Sequence, residues 1–272
     1  MSSYVALCLA MMTAGNDCAM HLFAHTFLVL SWVLVCRSVS TATINFAHIG
    51  ASDDCILINL PRSKCDQDGD RAYERAVYAN PFRPEVCPVL ALALHVFTSH
   101  VVDGGQDGSP LLFGKKGAEG RFSEVLGKMM RQADSATSFL GLSRAEDIGT
   151  HSIRKGAASY LSSQLGGPSG IAIYQRAGWA LGVQDRYLLT TGEDYLVGRY
   201  LSLLNAMEDS FASLPPHFVD RVVPFPPGHS MQTVLPSYSK LPGTFLGVLP
   251  LLVASLVYHD SWLRGTLPAK HP

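Results

Sequence analysis

From His21 to Ser40 the chain runs for twenty residues without a proline or a glycine, and thirteen of them are apolar. Such a run suits a helix buried on every side rather than one with a solvated face. Its apolar heart, Thr26 to Cys36, is shorter than the roughly 20 residues a membrane-spanning helix needs, and extending it backwards meets His25, His21 and Asp17. A second apolar stretch, Phe245 to Val257, is also short, contains Pro250 and ends in Tyr258-His259-Asp260. Both are expected to be core helices of a protein with no membrane partner. The 272 residues are 47% hydrophobic and 16% charged with a net charge of −1, which excludes a disordered chain and allows one large core. Cys8, Cys18, Cys36, Cys55, Cys65 and Cys87 show neither a CxxC pair nor Cys/His metal spacing, and no basic segment of the signal-peptide kind follows Met1. Reduced thiols in an intracellular protein are the expectation.

Residues 1–20 carry no pattern that assigns them an element. After the helix from His21 to Ser40, three short β-branched or aromatic runs (Thr43 to Ile49, Cys55 to Leu60, Ala76 to Tyr78), parted by polar turns, predict a small antiparallel meander. Pro88 sits where a first helical turn tolerates proline and opens a helix. Further helices are expected over Phe122 to Asp134, after Thr150 as N-cap, over Ile171 to Ala177 and over Val183 to Leu189. Proline density rises after Ser210, so 210–243 reads as a surface-hugging extension, closed by a helix from Phe245 to Leu263. The segments are therefore 1–20 unassigned, 21–205 a single α+β, mainly helical domain, and 206–272 an extension with a C-terminal apolar helix.

One cluster carries chemistry. His151 and Arg154 lie three apart on a helix and so share a face. Gly178-Trp179 follows a Gly/Pro loop, and Arg186-Tyr187 comes next. A proton-holding imidazole beside a guanidinium that can fork onto an anion suits a phosphate reaction centre, with a nearby tyrosine as nucleophile. Taken singly, each residue has an ordinary structural reading; their joint order and spacing give them meaning. Asp66, Asp68 and Asp70 look like a calcium loop, but the twelfth position that should be Glu is Val77. Gly104-Gly105 and Gly166-Gly167 lack the strand-then-helix setting of a phosphate loop. No metal or cofactor is expected.

The order His151-Ser-Ile-Arg154, Gly178-Trp179, Tyr187 resembles the catalytic core of the tyrosine recombinases, the phage-integrase superfamily. That family's first Arg follows an apolar helix, as Arg37 does here, and its Lys lies in the turn between the second and third strands, where Lys64 stands. The intervals are 27 residues from Arg37 to Lys64, 87 to His151, 28 to Trp179 and 8 to Tyr187, the last about one residue short of the family's pattern. The motif wording is most similar to recombinases of eukaryotic mobile elements of the Crypton or DIRS kind. The resemblance implies a tyrosine-recombinase catalytic core that cleaves and rejoins double-stranded DNA, as a tetramer on paired sites and in the nucleus. In that reading Arg37 and Arg154 bind the non-bridging phosphate oxygens and Tyr187 attacks. Lys64 protonates the leaving oxygen, His151 assists as base or donor, and Trp179 holds a phosphate oxygen.

Three features depart from the family. Ser40 stands where an acid is usual. The 36 residues before Arg37 leave no room for the helical domain that clamps DNA from the N-terminal side. The chain is also not basic, so phosphate neutralisation must be local; Lys115, Lys116, Arg121, Lys128 and Arg131 form the candidate stripe. These departures keep two other readings open: a DNA-binding remnant that no longer cleaves, and a helical interaction protein. The apolar run 245–257, which must be buried against something, makes oligomerisation through the C-terminal segment an expectation as well.

Overall fold

A helix with no polar face has to be enclosed, and Cys18–Leu34 (α2) is enclosed: every side chain from Leu22 to Leu34 is buried. The computed structural model describes residues 2–15, 17–60, 74–99, 110–114, 117–136, 148–179, 193–269 and 271. Around α2 pack Ser2–Met12 (α1), Pro88–Thr98 (α4), Ala118–Ala136 (α5) and Thr150–Ser162 (α6). Ser38–Ala42 (α3) follows α2 directly. The polar groups trapped in this shell find partners. Thr26 Oγ1 donates to Ala91 O at 2.8 Å, Ser31 and Thr41 share a hydroxyl contact of 2.9 Å, and Trp32 Nε1 donates to Leu201 O at 3.1 Å.

Residues 1–20 do hold an element. In α1, Tyr4, Leu7, Cys8, Met11 and Met12 are buried, and Tyr4 stacks on Trp32 with ring centroids 4.0 Å apart. Its residues are apolar on all sides, so no periodic stripe marks it in the sequence. A second seam joins α2 to α5 through Phe27 and Phe122, stacked at 4.5 Å, with Phe23 and Phe113 closing the cluster. Ala118 shares the buried face of Phe122, so α5 starts one turn earlier than expected. Pro88 opens α4 and Gly170–Ala177 (α7) forms as the sequence predicts; the helix expected over 183–189 lies outside the described residues.

The meander is present, with one shift. Strands Ile49–Ala51 (β1), Ile56–Asn59 (β2) and Glu74–Val77 (β3) pair antiparallel in the order β1-β2-β3, with Gly50 opposite Leu57 and Leu57 opposite Ala76. The first strand starts at Ile49, not Thr43. Asn45 Oδ1 accepts from His48 N at 3.1 Å and His48 Nδ1 accepts from Asn45 N, a reciprocal cap that coils Phe46–His48 into a 3-10 turn. The N-cap of α6 is likewise Gly149, not Thr150: Gly149 is already extended, and its N–H donates to Ser152 Oγ at 3.3 Å.

Asp194–Leu201 (α8) lies on β3, and after it the proline-rich segment makes short turns, including Met231–Val234 (α9), that are mostly exposed. The expected C-terminal helix is three: Gly243–Leu246 (α10), Leu249–Tyr258 (α11) and Asp260–Thr266 (α12), with a 59° bend before the last. Pro250, lacking an N–H, starts a new helix instead of continuing the old one. Leu249, Leu251, Leu252, Ala254 and Ser255 are buried and α11 packs on α4, so the apolar run is covered within the chain and gives no argument for oligomerisation. Among the described residues no single helix is long and apolar enough to cross a membrane. Side chains of α1, α2, α4, α5, α6, α10 and α11 share one core, which draws on all three expected segments.

Two outcomes follow for stability. A Cβ at Gly198 of α8 would lie 2.3 Å from Ala76 O, so Gly198→Ala must push α8 off β3; a loss of about 1–3 kcal/mol is expected in urea unfolding. His25 Nε2 donates to Glu85 O and His95 Nε2 to Leu112 O, both at 2.8 Å, and burial pulls both imidazoles down from 6.5 to about 4. The unfolded chain therefore binds more protons below pH 6.5 than the folded one does. Stability should be level above that pH and fall steadily between pH 6.5 and 4, read as the urea midpoint across a pH series.

Candidate active site

The C-terminal end of α2 gathers guanidinium groups. Val35 takes a left-handed conformation (φ 49°) that ends the helix and turns the chain into Cys36 and Arg37. Arg37 is the extended residue preceding α3, half-buried, and its side chain has no partner among the described residues. The next residue, Ser38, donates to Glu119 Oε1 at 2.5 Å and ties α3 to α5.

Arg154 enters from α6. The buried face of that helix is Ile153, Arg154, Ala157, Ala158 and Leu161, and its exposed side carries His151 and, one turn on, Lys155. Arg154 is buried, donating through Nε to Val35 O at 3.0 Å and through Nη2 to Ala177 O. Trp179 lies under the guanidinium, whose carbon is 5.2 Å from the ring centroid. Gly178, at φ 62°, supplies the left-handed residue that ends α7 and brings the chain round to Trp179, which meets Tyr174 edge-on at 5.1 Å. Arg154 is thus the node of the expected set. One of its acceptors is two residues before Arg37, the other two residues before Trp179, and His151 is one turn away on its own helix.

Lys64 and Tyr187 lie outside the described residues, as do Lys115 and Lys116. In the chain, Lys64 falls between β2 and β3 and Tyr187 between α7 and α8. The other members of the expected DNA stripe differ in their commitments. Arg121 turns inward, donating to Phe113 O at 2.6 Å and lying 4.4 Å over the Phe23 ring, with its pKa lowered by burial. Lys128 pairs with Glu124 at 2.7 Å on the exposed face, and Arg131 is exposed.

The sequence reading missed Arg176. This side chain is wholly buried, and its Nη1 donates to both carboxylate oxygens of Asp194 at 2.7 Å. Nε and Nη2 donate to Val33 O at 3.1 and 2.6 Å, and Nη2 also to Ala76 O at 2.9 Å. Its signal was visible, because Ala172, Ile173, Arg176 and Ala177 are the apolar face of α7 by spacing, and an arginine on such a face needs a carboxylate. Arg75 of β3 donates to Arg176 O at 3.4 Å. Burial raises the pKa of the Cys36 thiol, opposed by its hydrogen bond to Thr41 and by Arg75, Arg154 and Arg176, which marks how closely these cations converge. Among the described residues no group of three or more His, Cys, Asp or Glu side chains could hold a metal ion.

No protein-family model matches this sequence, and no curated protein does. Solved structures do. FLP recombinase in a Holliday-junction complex superposes with a TM-score of 0.61 over 93% of this chain and 63% of its own, at 11% identity. Flpe, also in a Holliday-junction complex, gives 0.56 over 96% and 64%, again at 11% identity. The fold is that of a tyrosine-recombinase catalytic domain. The chain spans less than two thirds of the length of the solved structures it matches.

The geometry separates two residues that look alike in the motif. Arg154→Ala strands the carbonyls of Val35 and Ala177, at about 1–3 kcal/mol for each one left buried without a donor. His151 is exposed, so His151→Ala should shift stability by no more than about 0.5 kcal/mol. Thermal and urea denaturation of the two variants checks the contrast.

Proposed function

We propose that this chain cleaves and rejoins double-stranded DNA through a 3′-phosphotyrosyl intermediate, as a recombinase of a eukaryotic mobile element acting in the nucleus. The observation that carries the reading is the placement of Arg154: a guanidinium held by carbonyls from two helix ends, with Arg37, His151 and Trp179 each within a few residues of its contacts, on a tyrosine-recombinase fold. FLP recombinase and Flpe, the two structures named above, are Holliday-junction complexes, which supports DNA as the substrate here.

A phosphodiester resists attack because its non-bridging oxygens repel a nucleophile. Arg37 and Arg154 would bind those oxygens and stabilise the charge that grows in the pentacoordinate transition state. The Tyr187 oxygen attacks phosphorus, and its proton passes to His151 or to solvent. The bond from phosphorus to the 5′-oxygen breaks, and Lys64 gives that oxygen its proton. The Trp179 indole N–H holds a phosphate oxygen. The phosphotyrosyl bond conserves the energy of the broken link, so a 5′-hydroxyl from another strand reseals it without a nucleotide cofactor. Assembly of four copies on paired sites belongs to the same proposal. On DNA, the outward Lys128 and Arg131 and the exposed Lys155 would supply backbone contacts.

The test is a nicked duplex from which the cleaved 5′ fragment diffuses away, trapping any covalent complex. Wild type should form a protein–DNA adduct that survives denaturation, and Tyr187→Phe should form none. Salt-sensitive binding without an adduct would make the chain a non-cleaving remnant. Absence of both would leave an interaction protein.

A further inference from the structure

Asp194 and Arg176 bracket the end of α7 and the start of α8, and their contacts reach further than the two helices. Asp194 Oδ2 accepts from Ala76 N at 2.7 Å while Arg176 Nη2 donates to Ala76 O, so the pair occupies the open edge of β3 as a neighbouring strand would. The same guanidinium donates to Val33 O in the last turn of α2. Three separate elements, α2, β3 and α8, are thereby fixed against the C-terminal turn of α7 by a single buried side chain.

That turn matters because of the residue after Arg176. The carbonyl of Ala177 is one of the two that hold Arg154, and the other, Val35 O, lies two residues beyond the Val33 carbonyl that Arg176 grips. Arg176 therefore spans the same two helix ends that Arg154 spans, one step deeper in the protein. By joining Val33 to α7 it sets the separation of Val35 O from Ala177 O, and with it the plane of the Arg154 guanidinium and the seat of Trp179 beneath it. We infer that Arg176, fixed by Asp194, is a positioning residue for Arg154, and so for phosphate charge stabilisation in the reaction proposed above, on which this inference rests.

Supplying partners to Val33 O and to the Ala76 backbone is only part of what the pair does. Burying a charged side chain is costly, and apolar replacements of similar volume commonly serve as well or better. What an apolar pair cannot supply is registry: a fork that fixes helix, strand and carboxylate at set angles. A phosphate-binding guanidinium needs that registry, because a misplacement of about 1 Å can cost about a hundredfold in rate.

The experiment compares two scissile groups in the nicked substrate: the ordinary phosphodiester, and a methylphosphonate in which one non-bridging oxygen is a methyl group and the negative charge is gone. A cation that neutralises that charge has less to contribute on the second substrate. The variants are Asp194→Asn, which keeps Arg176 and its bonds to Val33 O and Ala76 O, the double change Arg176→Met with Asp194→Leu, which keeps the volume filled by apolar groups, and Arg154→Ala as reference. Near-ultraviolet circular dichroism and salt-dependent DNA binding confirm that each is native. The expected result is a loss of about ten- to a hundredfold in adduct formation on the phosphodiester for the pair variants and for Arg154→Ala. On the methylphosphonate, all should come within a few-fold of wild type. An equal loss on both substrates would mean that the pair only holds the fold, and would overturn the inference while leaving the recombinase reading intact. Undiminished cleavage of the phosphodiester by the double variant would overturn it too. A wild type that forms no adduct on either substrate removes the functional reading and this inference together.

Discussion

A helix buried from Leu22 to its C-terminal end has no water to donate to the carbonyls of its last turn, and this constraint organises the molecule. At the end of α2 water cannot serve as the donor, because Val33, Leu34 and Val35 are all fully buried. The chain answers with arginines: Arg176 on Val33 O and Arg154 on Val35 O. Cations also suit this end of the helix, where the aligned peptide dipoles leave partial negative charge. The same two side chains draw in α6, α7, β3 and α8, so satisfying one helix terminus assembles the site around it.

This explains how a chain with net charge −1 can keep a cationic centre. Many of its cations are spent locally. Arg83 pairs with Glu85, Lys128 with Glu124, Arg199 with Asp54, Arg221 with Asp53 and Arg264 with Asp260. Arg37, Arg131 and Lys155, by contrast, have no acidic partner among the described residues. They lie on three elements that all pack near α2: the start of α3, the outer face of α5 and the outer face of α6. Bulk composition misses such a distribution, because phosphate binding depends on which cations lack a carboxylate beside them.

The legible part of the sequence was the part whose physics is periodic or local. The Pro- and Gly-free run gave α2, Pro88 gave the start of α4, and of the motif residues Arg154 and Trp179 are in contact, with Arg37 two residues beyond an acceptor of Arg154. What escaped was set by contacts far apart in sequence. α1 is apolar all round and is recognisable only once Trp32 is there for Tyr4 to stack on. The first strand lost Thr43 to His48 to a capping exchange between two side chains, Asn45 and His48, and the run 245–263 broke where Pro250 and His259 interrupt it. Arg176 is the instructive miss: the helical face that buries it could be read, but the carboxylate that answers it is eighteen residues away on another helix.

The sheet makes sense only in the same terms. Three strands of three or four residues are too short to be independently stable. Their edges are nonetheless covered, β1 by α10 and β3 by α8, the latter so closely that Gly198 leaves no room for a methyl group against Ala76. Covering both edges removes the strands from intermolecular pairing and fixes the sheet against the helices. The sheet also places Ile49, Ile56, Ile58 and Val77 in the shared core, and the connection between β2 and β3 leaves from it and returns to it. Lys64 is on that connection, and its return point is two residues from the Ala76 groups bonded to Arg176 and Asp194. Strand β3, to which that connection returns, and the end of α7 that holds Arg154 are thus fixed to the same buried ion pair.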